Sequence, residues 1–538
     1  MELLEERRLL SFSAGVDGAY IVENRAHGSY VSVAIQPGNQ AIVAAGFAGT
    51  LPNGTISRFG VERYDSLGNV DASYGNAGLA SPTLGPGQGA DALTLQPDGK
   101  AVVVGDTAGR LGLARLNVDG SPDASFGSGG WTAFDIQPGS DVADAVGLQS
   151  TGKIVVAGYS NSTNTMSTIE SAVVARVTAS GAIDSGTGGF GQVNGTGKNA
   201  VPAGYTLTSF GPKTSVFTGL AVQPLDDKLV AVGEFVTSDN SSERLVVARY
   251  TSAGKLDKTF NGSGYTVLAP AGISSLWGHS VALQTDGKIV VAGGCTDVDG
   301  SWDMLIARFN ANGTLDTSFG GGSGYIRVDA DGAGSVTTAE VNGLAIQPDG
   351  KIVAAGWERA AVAGAPGSVM VARLNTDGTL DATFGASGIK LGSALPGTGT
   401  NDFRGQAVAL QSDDSIIVAG LDYTGSTGST AQPLLMRFFG TSSPRLAAAP
   451  LATGGTASTL LANGAVTFAT NGAAAGPLDM SVPIGGLSQP ASNAIQVGGT
   501  VASPAPEIDA GNAGNLPGEG DLFFDSLGTN LVKGRNRR

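Results

Sequence analysis

Short apolar stretches recur along this chain with fixed punctuation. Seven end in an apolar residue followed by glutamine: Ile35-Gln36, Leu95-Gln96, Leu148-Gln149, Val222-Gln223, Leu283-Gln284, Ile346-Gln347 and Leu410-Gln411. The glutamines are 60, 53, 74, 61, 63 and 64 residues apart. Large and small residues alternate before them: Leu344 and Ile346 against Gly343 and Ala345, Val281 and Leu283 against Ser280 and Ala282. A period of two predicts a strand. Alternation of large with small, instead of apolar with polar, predicts that both faces are buried, a bulky face meeting a small one on its neighbour.

The rest of the repeat reads in the same way. Four of the glutamines lead into turns of the form Asp-Gly-Lys or Thr-Gly-Lys, at 98–100, 151–153, 286–288 and 349–351; the others have Gly38-Asn39-Gln40, Asp226-Asp227-Lys228 and Asp413-Asp414-Ser415. These are hairpin turns. A second strand rich in Val and Ala ends in glycine each time: Gly46, Gly105, Gly158, Gly233, Gly293, Gly356 and Gly420. A third ends at Arg63, Arg115, Arg176, Arg249, Arg308, Arg373 and Arg437. A polar turn and an Asp-x-Ser/Thr-Phe-Gly element follow, at 123–127, 316–320 and 381–385, with Tyr74 for Phe at 71–75 and Asn261 for Gly at 257–261. A fourth strand, such as 324–328, closes the unit. Four short strands per repeat, seven times over, predict an all-β fold, a seven-bladed β-propeller. The seventh repeat stops at Phe438-Phe439-Gly440, and Ser11-Phe12 with Gly18-Ala19-Tyr20-Ile21-Val22 reads like its missing end. Residues 11–23 are therefore expected to be the closing strand of blade seven, joining the ends of the ring.

Composition narrows the function classes. Among 538 residues there are 84 glycines, charged residues make up 14%, and the net charge is −15. An acidic chain whose basic end, Lys533 to Arg538, reads as a solvated terminus does not suit nucleic acid. No apolar run is long enough for a membrane helix. The single Cys295 rules out an internal disulfide and a Cys-x-x-Cys zinc site. Residues 441–538 break the repeat and are rich in Ala, Gly, Ser, Thr and Pro; they read as a low-complexity tail with weakly ordered β-segments or a docking role.

The unit L-Q-x-D-G-K-I-V-V-A-G followed by A-R-x-N-x-D-G-x-L-D-x-S-F-G resembles the delta-60 repeat family of bacterial β-propeller domains, over about residues 11–440. The resemblance implies a propeller and no common enzymatic activity. The chain departs from the pattern at Gly38-Asn39-Gln40 and by extra residues around 186–213. Residues 4–11, Leu-Glu-Glu-Arg-Arg-Leu-Leu-Ser, resemble the leader of large secreted bacterial repeat proteins, which implies a secreted or cell-surface protein; a frayed helical turn is the plainer alternative.

Candidate chemistry is sparse. His27 and His279 lie nine and five residues before their glutamines, so they are not equivalent and do not suggest a triad or a His metal cluster. The recurring arginines and aspartates are expected to hold the hairpin between strands three and four. The turns 117–123, 310–316 and 375–381 place oxygens at alternating positions, as Ca²⁺ prefers, but their glycine stands at the fourth place and ordinary turn chemistry accounts for them; no cofactor is expected. The varied polar position lies five residues before each glutamine: Val31, Asp91, Asp144, Thr218, His279, Asn342 and Gln406. If the first strand is innermost, these ring one mouth of the channel and form the candidate ligand site. The expected protein is a monomeric, non-enzymatic binding or scaffold module for a protein or glycan. The competing reading is a polysaccharide lyase or hydrolase, with Asp91, Asp144 and His279 the candidates for acid–base work. A lectin-like module would show exposed aromatics near the mouth, for which Trp131, Trp277, Trp302 and Trp357 are available.

Overall fold

The computed structural model describes residues 12, 18–22, 28–47, 49, 50, 56, 57, 59–81, 89–164, 167–191, 193, 194, 201–238, 242–298, 300–328, 338–360, 365–392, 402–424, 430–440, 458–461 and 464–467. The leader-like segment 1–10, His27 and most of the tail 441–538 lie outside them. Among the described residues the chain is all β, save one short 3-10 turn at Gly320–Gly322.

Repeat five shows the plan. Ile273–Leu283, Ile289–Asp297, Trp302–Phe309 and Tyr325–Val328 pair in that order, all antiparallel. Sheets of the same four-stranded order begin at Ser29–Ile35, Ala92–Leu95, Asp141–Leu148, Ser215–Val222 and Thr338–Ile346. This is the sheet pattern of a β-propeller. Repeat seven supplies only Asp402–Leu410, Ile416–Thr424 and Thr430–Phe438. Its fourth strand is Ala19–Val22, antiparallel in register from Ala19 opposite Arg437 to Val22 opposite Leu434. First strands of consecutive repeats pack on one another, and that of repeat seven packs on that of repeat one.

The core lies between sheets. Ile289 and Val291 join Val230, Val232 and Phe260 of repeat four in one apolar cluster, while Val290 and Ala292 join Val341 and Ile352 of repeat six in the next. Period-two alternation thus feeds both faces of each sheet. In the first strand of repeat six, Leu344 and Ile346 face repeat five and Ala345 faces repeat seven. Between repeats seven and one, Ile417, Ala419 and Leu435 meet Phe12, Ile21, Ile42 and Ala44. A second compact unit begins at Ala447; of it the structure describes one hairpin, Ser458–Leu461 with Gly464–Thr467.

Candidate functional site

Each sheet carries polar chemistry at two ends. At one, the repeated arginine joins its own repeat to the next. Arg115 donates Nε to Asp123 at 2.8 Å, lies over the Phe126 ring at 4.7 Å, and donates Nη1 to the Ala179 carbonyl of repeat three at 2.6 Å. Lys100 reaches the same Asp123 oxygen at 2.8 Å. The donors to the following repeat run on: Arg63 to Val118, Arg176 to Ser252, Arg249 to Ala311, Arg308 to Thr376, Arg373 to Gly440, and Arg437 back to Ser66 in repeat one. The repeated glutamine helps: Gln149 donates to the carbonyls of Asp227 and Ser252, and Gln411 to those of Gln40 and Ser66. Arginine and aspartate therefore do more than hold one hairpin; they fasten neighbouring sheets. Repeat three keeps the clamp despite its insertion, with Asp184 at 2.6 Å and Phe190 beneath Arg176. Asn261 stands for glycine because the position after the aromatic has positive φ, 48° there and 55° at Gly127.

The other end carries the varied residues. In six first strands the ladder slips by one residue, between Tyr30 and Ser32, Ala143 and Ala145, Phe217 and Gly219, Gly278 and Ser280, Val341 and Gly343, and Gly405 and Ala407. The extra residue at each β-bulge is Val31, Asp144, Thr218, His279, Asn342 or Gln406. Asp91 stands at the matching place in repeat two, its N–H bonded to the Val104 carbonyl at 2.8 Å. The bulge also explains the second-strand glycines: a Cβ at Gly356 would lie 1.8 Å from the Glu340 carbonyl oxygen, and at Gly233 2.0 Å from that of Val216. All six predicted residues are half-buried. Three reach the next repeat: Thr218 donates to the Gly278 carbonyl, Asn342 to that of Gly405 at 2.9 Å, and His279 Nε2 meets Glu340 Oε1 at 2.7 Å.

Around this bulge row the structure assembles residues the sequence reading missed. Glu340 also accepts from Trp277 at 2.9 Å and from Trp357. Trp357 lies 4.6 Å from the Arg404 guanidinium, which lies 5.0 Å from the Tyr423 ring and pairs with Asp402 at 3.1 Å. Glu234 accepts from the Gly278 N–H, and its Oε2 is buried without a hydrogen-bond partner. Charged and aromatic side chains thus run in contact across repeats five to seven, and Glu234 of repeat four meets them through the Gly278 backbone. Burial, reinforced by Glu243 and Asp144 against the opposing pull of His279, pushes the Glu234 carboxyl up to about 8. Burial alone would raise Glu340, but His279 and the two indoles hold it below the usual carboxylate range. Burial alone would lower His279, yet Glu340, Glu234 and Asp144 raise it. Two carboxyls pushed apart in protonation are what acid–base chemistry needs.

Other candidates fare differently. In the calcium-like turns, Asp119 and Asp377 accept from Ser121 and Thr379 within the turn, and Asp123, Asp316 and Asp381 are held by Arg and Lys. Cys295, Asp297 and Asp303 place ligand atoms within 4.8 Å of one another, but Arg327 already pairs with both carboxylates, and burial pushes the thiol up to about 12. Trp277 and Trp357 are buried and Trp131 and Trp302 half-buried, so none is an open stacking platform.

Five segments, residues 96–126, 149–186, 225–260, 284–319 and 347–384, match the family described as "Domain of unknown function (DUF5122) beta-propeller". No curated protein matches the chain. Among solved structures, a Lactobacillus plantarum protein is 16% identical, TM-score 0.37, covering 75% of this chain and 97% of its own. The α-L-arabinofuranosidase Arb93A of Fusarium graminearum is 10% identical, TM-score 0.34, covering 64% and 91%. Trypanosoma rangeli sialidase is 11% identical, TM-score 0.32, covering 80% of this chain and 59% of its own. Five repeats of this chain are thus similar to a β-propeller repeat family.

Proposed function

We propose that the chain forms a closed ring of seven blades over about residues 11–440, fastened by Ala19–Val22, preceded by a leader-like segment and followed by a separate tail. The cycle of arginine donors that returns from Arg437 to Ser66 supports this reading. The ring acts as a secreted or surface-held, non-enzymatic binding module for a protein or glycan, with its ligand site on the bulge row at one mouth of the channel. One observation carries the assignment: the backbone imposes the same bulge on six repeats while the residue on it differs every time. A position with fixed geometry and free chemistry is where one ligand can be read asymmetrically.

The test is retention of the full chain on a panel of insoluble cell-wall and plant polysaccharides, with soluble products assayed in parallel. Retention that falls at least tenfold in both Asp144→Ala and Gln406→Ala is expected. Retention untouched by either moves the site off the bulge row. The opposed protonation of Glu234 and Glu340 supports a second reading, a polysaccharide-cleaving enzyme with Glu234 as general acid. Soluble sugars released by the wild type and not by Glu234→Gln would establish it and overturn the non-enzymatic reading.

A further inference from the structure

Arg437 differs from its six counterparts. Arg63, Arg115, Arg176, Arg249, Arg308 and Arg373 each donate Nε to an aspartate at 2.6–2.9 Å. In five of those repeats a lysine reaches the same carboxylate. Arg437 lies over the Phe12 ring at 4.3 Å and donates to Ser66 O and to Gln411 Oε1, but among the described residues its buried Nε has no acceptor. The sequence says why. The aspartate stands three residues before the aromatic in five repeats, as Asp316 before Phe319; three before Phe12 stands Leu9, and Ser415 takes the lysine's place. In repeats one to five the residue after the aromatic donates to the next repeat's turn at 2.7–2.9 Å, as Gly127 does to Ser180; here Phe12 itself donates to Leu67 at 3.3 Å.

We propose that the joint between repeats seven and one is a latch: Ala19–Val22 is held by its ladder and by Phe12 but not by the carboxylate that locks the other joints, so this strand releases while the others stay paired. The inference rests on the closed-ring reading. An unpaired buried donor costs stability, and among the seven clamp arginines the described residues leave only Arg437 with one. Release would free the edge at 434–437 to pair with another strand.

Hydrogen exchange on the full chain tests it. Amides of 19–22 should exchange at least tenfold faster than those of 325–328, the matching strand of repeat five. Leu9→Asp should slow them about tenfold and raise the melting temperature, and should do neither in an Arg437→Gln background. Equal exchange in the two strands, or a Leu9→Asp effect that survives Arg437→Gln, overturns the latch. If Arg437→Gln alone changes neither exchange nor stability, the closed-ring reading falls with it. Should Arg437→Gln fail to fold, Arg437→Lys serves as the background, with the same outcomes read.

Discussion

The clamp end and the bulge end of each sheet solve different problems with similar residues. At the clamp, Arg308, Asp316, Lys288 and Phe319 occur in nearly the same geometry as Arg115, Asp123, Lys100 and Phe126. Every repeat needs that joint, and repeats two to six make it with the same arginine, aspartate, lysine and aromatic. At the bulge, only the backbone repeats, and Asp144, Thr218, His279, Asn342 and Gln406 share a position without sharing chemistry. Recurrence marks structure; variation on a fixed frame marks the place where selection is free to act on a ligand.

The largest effect should come from breaking a clamp. Arg308→Met removes donors to Asp316, Thr376 and Gln284 at once and leaves buried acceptors behind. The expected cost is about 3–5 kcal/mol in chemical denaturation. A loss below about 1 kcal/mol would mean that the clamp behaves like a surface ion pair and that the contrast between the two ends is wrong.

What could be read from the sequence follows the same divide. The seven glutamines, the second-strand glycines and the strand Ala19–Val22 were legible because they recur or complete a recurrence, although the second strands run on past the glycines expected to end them. The clamp of repeat three was not, because inserted residues separate Asp184 from Phe190 and hide the motif. The arginines' second role was invisible, since their neighbour acceptors are backbone carbonyls that leave no mark in the residue pattern. Glu234 and Glu340 were missed for the opposite reason. Glu234 follows the strand-two glycine, where other repeats have Phe47, Asp106, Tyr159, Gly294, Trp357 and Leu421, so a second carboxylate in repeat two was the only repetition that pointed to it. The one available signal was that glycine itself: a residue fixed as glycine inside a strand implies a backbone close by, and hence a bulge opposite.

The two ends should also separate by pH. Despite the desolvation of their site, Asp123, Asp316 and Asp381 are held well below the ordinary carboxylate range by Ser or Thr, Lys and Arg. Their contribution is present above the unfolded aspartate pKa and is lost only as pH falls through the lower folded value, so it is constant near neutrality. Glu234 is raised to about 8, so the folded state holds a proton that the unfolded chain releases, and stability declines as pH rises from about 4.5 to about 8. His279 is raised too; its contribution is complete below its unfolded value and is lost as pH rises through the folded one. Both act in the same direction. Unfolding free energy should drop by on the order of 1–3 kcal/mol between about pH 6 and about pH 8. Most of that slope should vanish in Glu234→Gln. A slope unchanged in that variant would place the titration elsewhere.

The smallest effect should come from Asn342→Ala. Asn342 sits on the repeat-six bulge and spends one amide hydrogen on the Gly405 carbonyl. That bond is neutral, half-buried and replaceable by water, so its loss should cost about 0.5–1.5 kcal/mol. The backbone should keep its bulge, because Gly356 and not Asn342 permits the close approach of the two strands. Amide exchange across Thr338–Ile346 reads this directly. Unchanged protection with a small loss of stability means that the bulge is imposed by the frame and the side chain is free for recognition. A collapse of protection along that strand would make Asn342 part of the scaffold, and the line between the two ends of the sheet would have to be redrawn.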